Sequence, residues 1–270
     1  MPIWFAIVLG VVQGLTEFIP VSSTAHLRIL PALLGQPDAG APYTAVIQLG
    51  TLLAVVAYFA RDLGQLTTAA VRAPRSADGR VLWLLALATT PIVIAGLAFQ
   101  HAVEQELRSL AVIAFALIAI GALLVVVDRH ATRTPRTRRL ADLSVTTALA
   151  IGVAQSAALV PGVSRSGATI CMALLLGFSR VEAARVSFLL SIPALAGAGL
   201  FELRSAITAL GPSALPAIAV GTVVAAITGY ASIAWLLRWL GAHRLAGFGM
   251  YRIAVGAAIL IALFFGGLRG

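Results

Sequence analysis

Two polar islands stand in an otherwise apolar chain. The first is Gln13 to His26, QGLTEFIPVSSTAH, which holds Glu17, the carboxamide of Gln13, the consecutive hydroxyls Ser22, Ser23 and Thr24, and His26. A carboxylate at bilayer depth costs ~2.5–3.5 kcal/mol, so Glu17 belongs in a cavity as a metal ligand or general base, or at the interface as a helix-end carboxylate. Gln13 lies four residues earlier, on the same helical face, and can orient a ligand without acting as a base. Pro20 breaks the helix, and the hydroxyls after it can cap a new one or join its free N–H groups in a phosphate cradle. His26 is three residues after Ser23, which brings its imidazole within reach of the Ser23 hydroxyl if both are helical. Such a contact turns a hydroxyl into a nucleophile.

The second island is Gly152 to Thr169, GVAQSAALVPGVSRSGAT. Arg165 is a guanidinium in an apolar setting and needs an anionic partner. Glu17 is one candidate, as a structural ion pair. Ser164, Ser166, Thr169, Gly162 and Gly167 surround Arg165 with hydroxyls and bare backbone, the composition of an oxyanion site where arginine binds phosphate oxygens bidentately. A carboxylate, a histidine, hydroxyls and an arginine together suit phosphoryl transfer, where catalysis is mainly positioning and charge stabilisation. The islands are also related. A shift of 142 places Gly10, Val11, Gln13, Val21 and Ser22 on Gly152, Val153, Gln155, Val163 and Ser164, with Ser23 on Arg165, Thr24 on Ser166, and Pro20 one residue out of step with Pro161. This reads as an internal duplication.

The elements that position these groups follow from composition. The chain has 270 residues, 60% hydrophobic and 11% charged, with a mean hydropathy of +0.99. Soluble domains carry about 25% charge, so this is an integral membrane protein, and its long apolar runs are helical rather than alternating. The segments 3–16 and 21–34 are each too short to cross ~30 Å of hydrocarbon, and bent at Pro20 they read as a re-entrant hairpin. Full spans follow at 43–60, 81–99 and 109–127, then a basic loop, Asp128 to Asp142. The pattern repeats with short segments 143–158 and 163–177 around Pro161 and spans at 184–203, 215–239 and 250–267. The expected fold is an all-α polytopic membrane protein of six transmembrane helices and two re-entrant hairpins in one domain, 1–270. Repeat 1 covers about 1–130 and repeat 2 about 140–270, inverted because each hairpin returns to its own side before three crossings.

All 19 basic residues are arginine, and thirteen of them fall in the loops after residues 60, 127, 177 and 239. The opposite side holds Arg108, Arg204 and Arg269. That bias makes the first side cytoplasmic, both termini outside, and the first hairpin open to the outside. The net charge of +9 is thus a matter of topology, not of nucleic-acid binding. The N-terminus lacks a cleavable signal pattern. The lone Cys171 packs in a core and excludes an intramolecular disulfide. Arg252 is expected to snorkel to the cytoplasmic face in preference to a role in the site, Gln48 to pack against the first hairpin, and Arg28 either to gather an anionic headgroup or to lie at the surface.

The motifs Gln13-Gly-Leu-Thr-Glu17, Pro20-Val-Ser-Ser-Thr24 with His26, and Pro161-Gly-Val-Ser-Arg-Ser-Gly-Ala-Thr169 resemble those of the bacterial undecaprenyl pyrophosphate phosphatases, also called bacitracin-resistance proteins. The resemblance runs the whole length, through Gly177-Phe-Ser-Arg180 and Tyr251-Arg252. It implies a divalent-metal-dependent enzyme, using Mg2+ or Ca2+, in the bacterial cytoplasmic (inner) membrane. Its substrate would be undecaprenyl pyrophosphate, its products the monophosphate carrier lipid and phosphate, and its role the recycling of that lipid for peptidoglycan. Bacitracin would compete by sequestering the substrate. Gln13, where the family pattern also admits Glu, removes one metal carboxylate and leaves Glu17 as the metal ligand. Ser23 would attack the terminal phosphorus with His26 or Glu17 taking its proton, and Arg165 with Ser164, Ser166 and Thr169 would hold the oxygens. Attack by water or by His26 stays open, as does a choice between a single chain and a homodimer. The rival reading is a secondary transporter or flippase, since broken helices in inverted repeats are transporter architecture.

Overall fold

The computed structural model describes residues 1–99, 107, 109–133 and 136–266. Arg108 and Arg269, two of the arginines expected on the outward side, lie outside the described residues. Among the described residues the chain forms eleven α-helices. In chain order they are α1 (Ile3–Phe18), α2 (Ser23–Leu33), α3 (Gly40–Tyr58), α4 (Ala60–Arg72), α5 (Ala77–Ala98), α6 (Leu110–Arg133), α7 (Val145–Ser156), α8 (Arg165–Leu175), α9 (Arg180–Leu210), α10 (Leu215–Leu240) and α11 (Ala246–Phe264). Six of them, α3, α5, α6, α9, α10 and α11, are long and apolar enough to cross a membrane. They sit within a few residues of the spans read from hydropathy. At ~1.5 Å per residue α1 reaches ~24 Å and α7 ~18 Å, both short of a ~30 Å hydrocarbon layer.

The helices pack by close backbone approach. The short helix α1 lies on α10, α7 lies on α5, and α6 pairs with α11. A side chain at Gly14 of α1 would meet the Gly229 amide nitrogen at 2.6 Å and the Ala225 carbonyl at 2.7 Å, both in α10. Gly249 and Gly121 approach in the same way where α11 meets α6, and a Cβ at Gly249 would lie 2.6 Å from the Gly121 carbonyl oxygen. Without a hydrophobic drive between helices in lipid, small residues of this kind let van der Waals packing hold the bundle.

The helix α4 was not expected; the sequence reads there as a loop. Its apolar residues recur with helical period between Arg61, Asp62, Gln65, Thr67 and Thr68, so its hydropathy falls below that of a span. Only Leu66 of this helix is buried, and Asp62 receives Arg185 Nη2 of α9 at 2.9 Å. At the far end of the bundle from the hairpin breaks, the buried Asp128 of α6 accepts from Arg180 Nε at 2.6 Å and from the Ala246 amide at 3.1 Å. Three helices are thereby tied at one carboxylate placed against the positive N-terminus of α11.

Candidate active site

Both hairpins break in the same way. Helix α1 stops at Phe18, ahead of Pro20, which has no N–H to continue the ladder. Ser22 then takes φ 78°, caps α2, and accepts the Ala25 amide on its side chain at 3.4 Å. In the second hairpin Pro161 and Gly162 turn the chain, Ser164 takes φ 71°, caps α8, and accepts the Gly167 amide at 3.2 Å. Among the described residues, Ser22 and Ser164 are the non-glycine residues with positive φ, and they are the pair that the 142-residue shift superposes. Such backbone costs on the order of 1–3 kcal/mol per residue and persists where the surroundings over-determine it, commonly at functional sites.

Glu17 is the hub between the two breaks. Its Oε2 accepts from Gln13 Nε2 at 2.9 Å and from Ser23 Oγ at 2.7 Å. Its Oε1 accepts from Arg165 Nη2 at 2.9 Å, joining first hairpin to second. The pair is withdrawn from solvent, with side-chain exposures of 7% for Glu17 and 11% for Arg165. Two buried atoms at this hub have no hydrogen-bond partner among the described residues: Arg165 Nη1, a donor, and Gln13 Oε1, an acceptor. A buried polar atom without a partner costs about 1–3 kcal/mol, so both are poised for a ligand that offers an anionic oxygen and a cation or donor. Ser166 reaches back to the first hairpin, donating to the Ile19 carbonyl at 3.4 Å, and its Oγ lies 3.1 Å from Ser164 Oγ. Thr24 is exposed and lines a cavity of about 60 Å³ together with Arg28, Gln48 and Pro161. Arg28 pairs loosely with Asp38, at 3.6 Å.

Several side chains take positions that spacing did not foretell. The expected contact of His26 with Ser23 is not made. The His26 Nδ1 turns back to the Ser22 carbonyl at 2.8 Å, and Nε2 meets the Tyr251 hydroxyl at 2.7 Å, leaving the Ser23 hydroxyl to Glu17. Thr169 lies behind Arg165 rather than beside the open donor: its hydroxyl donates to the Arg165 carbonyl at 2.8 Å and sits 2.7 Å from Ser187 Oγ, fully buried. Arg252 does not snorkel. It is 0% exposed and reaches between the hairpins, donating to the Gly162 and Val163 carbonyls at 2.7 and 2.8 Å and to the Pro20 carbonyl at 3.2 Å. Carbonyls freed by two helix breaks need donors that lipid cannot offer, and this outweighs the pull of the surface. Gln155, which the 142-residue shift places on Gln13, is fully buried with neither amide atom hydrogen-bonded among the described residues.

The donor set for a metal is lean. Among the described residues no group of three or more His, Cys, Asp or Glu gathers. Hard cations take oxygen, and Mg2+ in particular is commonly held by one or two carboxylates together with substrate phosphates. Glu17 and the open Oε1 of Gln13 supply oxygens of that kind, so the residues fit a cation shared with a phosphorylated ligand.

Comparison with known proteins converges on one group. The family described as bacitracin resistance protein BacA matches residues 6–258. The chain is 47% identical to undecaprenyl-diphosphatase 2 of Frankia casuarinae, covering 96% of this chain and 94% of that protein. It is 46% identical to the undecaprenyl-diphosphatase of Chlorobium phaeobacteroides, over 96% of each chain. The undecaprenyl-diphosphatase of Myxococcus xanthus is 48% identical, over 96% of this chain and 88% of its own length.

Proposed function

The chain belongs to the bacitracin resistance protein BacA family, and from that premise we propose that it is an integral membrane phosphatase that hydrolyses undecaprenyl diphosphate to undecaprenyl phosphate and inorganic phosphate. The observation that carries the reading is the Glu17 hub. One carboxylate holds a hydroxyl from its own hairpin and a guanidinium from the other, and that guanidinium keeps a buried donor open.

In this reading Arg165 Nη1 takes an oxygen of the terminal phosphate, with Ser164 and Ser166 on the same side. Ser23 Oγ attacks the terminal phosphorus, and its proton passes to Glu17, which already accepts it at 2.7 Å. The bond to the bridging oxygen breaks and the lipid leaves as its monophosphate. Water then attacks the phosphoserine, inorganic phosphate departs, and Ser23 Oγ recovers the proton from Glu17. A divalent cation, Mg2+ or Ca2+, held by Glu17 and Gln13 Oε1, supplies neutralisation of the diphosphate charge. Gln13 and Ser22 hold the first hairpin in shape, Thr24 faces the mouth, and Thr169 supports Arg165 from behind. Bacitracin acts by removing the diphosphate lipid, and the monophosphate returns to cell-wall synthesis.

The same reading sets the topology. The hairpins are re-entrant and the halves form an inverted repeat in the bacterial inner membrane, with both termini and the site's mouth outside. The matched strained serines support it, as do the short inbound helices. So does a packing exchange: α1 lies on α10 while α7 lies on α5, the helices that the duplication pairs. Every group in the mechanism comes from one chain, so a homodimer is compatible but not required. The broken helices also suit a transporter or flippase, which would release no phosphate in detergent. The mechanism is tested by quenching the protein with substrate labelled in its terminal phosphate. Label on Ser23 is expected, and undiminished turnover by Ser23→Ala would overturn the nucleophile.

A further inference from the structure

The last span contributes a side chain that the mechanism above leaves unused. Tyr251 of α11 places its hydroxyl 2.7 Å from His26 Nε2, and the two rings stack nearly parallel, 7° apart, with centroids at 5.7 Å. The other ring nitrogen decides how this contact is built. His26 Nδ1 lies 2.8 Å from the Ser22 carbonyl, which can only accept, so Nδ1 carries a proton. In the neutral imidazole Nε2 is then bare, and the phenol donates to it. The arrangement is fixed from both ends. The Ser22 carbonyl belongs to the strained break of the first hairpin, and the residue next to Tyr251 is Arg252, whose guanidinium holds carbonyls in both breaks. Ser23 and His26 lie one helical turn apart in α2, so their side chains share a face.

We propose that Tyr251 is a positioning residue that holds the His26 ring, whose Nδ1–H is set by the Ser22 carbonyl, so that the bare Nε2 stays in place to receive the proton of the water that ends the reaction cycle. The inference rests on the phosphatase reading and divides the two proton transfers between two groups. Glu17 serves the attack by Ser23. In the second step the water oxygen bonds to phosphorus and the phosphorus–Oγ bond breaks. The water proton goes to His26 Nε2 and from there to solvent as the phosphate leaves, and Ser23 Oγ takes back the proton held by Glu17. Tyr251 is 46% exposed, so its hydroxyl has solvent to turn to when the water takes its place on Nε2.

A mere packing contact between α2 and α11 predicts something different, and a double-mutant cycle separates the two. Phosphate release from undecaprenyl diphosphate in detergent is measured for wild type, Tyr251→Phe, His26→Ala and the double variant. Tyr251→Phe keeps the ring stack and removes only the hydroxyl. The expected result is a fall in kcat of about tenfold with KM unchanged, the scale of one lost hydrogen bond. In the His26→Ala background the same change should cost less than about twofold, because the two act as a unit. Ring-15N spectra of His26 should show the Nδ1–H tautomer in both proteins, with the bare Nε2 resonance moved downfield in Tyr251→Phe by loss of the phenol's hydrogen bond. Equal losses in both backgrounds, or an unmoved Nε2 resonance in Tyr251→Phe, would overturn the inference while leaving the phosphatase reading intact. An inactive, well-folded wild type would overturn both.

Discussion

Replacing Arg252 by methionine should loosen both hairpins at once. The side chain keeps most of its volume, so the perturbation is the loss of donors. Three carbonyls, those of Pro20, Gly162 and Val163, lose contacts of 2.7 to 3.2 Å in a place with no solvent. Each buried carbonyl left unpaired costs about 1–3 kcal/mol, so the gross loss is on the order of 3–9 kcal/mol. Part of this is returned because a guanidinium no longer has to be desolvated. Taking the low end, ~3 kcal/mol is a sizeable share of a typical total of ~5–15 kcal/mol, and corresponds to a fall in Tm of roughly 6–12 °C. Arg252→Lys should fall between, since one ammonium cannot span both breaks. The assay is thermal unfolding of purified protein in one detergent, followed by tryptophan fluorescence, alongside phosphate release. Phosphate release should fall with Tm, because the carbonyls concerned flank Ser22 and Ser164. A methionine variant that melts within about 2 °C of wild type and keeps full activity would refute the clamp.

Three other outcomes follow from the same geometry. Ser164→Gly should melt at or slightly above wild type, because glycine accepts positive φ and is a fair cap, whereas Ser164→Ala keeps the strain, loses the cap and should cost ~1 kcal/mol by thermal unfolding. Thr169→Val should lower stability by ~1 kcal/mol through the lost Ser187 bond while leaving KM unchanged, as steady-state kinetics would show. Chelation by EDTA should abolish phosphate release, and restored Mg2+ or Ca2+ should recover it; activity untouched by EDTA would exclude the cation held by Glu17 and Gln13.

Much of this architecture was legible because lipid makes the rules strict. A run that is apolar but too short, interrupted by Pro20 or Pro161 and followed by hydroxyls, has few structures open to it, and the six longer runs have one. The pairing of Glu17 with Arg165 was legible as one of two options, since a guanidinium at depth needs an anionic partner and Glu17 stood beside a phosphate oxygen as the candidate. What escaped was decided by contacts far apart in sequence. His26 and Ser23 have the right spacing, but a hydroxyl from Tyr251 and a carbonyl from Ser22 compete for the imidazole, and nothing near residue 26 announces the former. Arg252 sits near a span's start, where snorkelling is the ordinary outcome, and its carbonyl partners in the two breaks carry no side-chain signature. Thr169 stands in the motif with Arg165, yet a helix turns it to the opposite side, toward Ser187. The helix α4 was missed because hydropathy finds spans and not amphipathic surface helices.

The most direct test is phosphate release from undecaprenyl diphosphate by purified protein in detergent, where there is no membrane to cross, comparing wild type with Glu17→Ala and Arg165→Ala. The account predicts release by wild type and near-complete loss in both variants, since one residue from each hairpin is indispensable to the shared hub. Full activity in either variant would contradict a site built between the hairpins, and a folded wild type that releases nothing would favour the transporter reading.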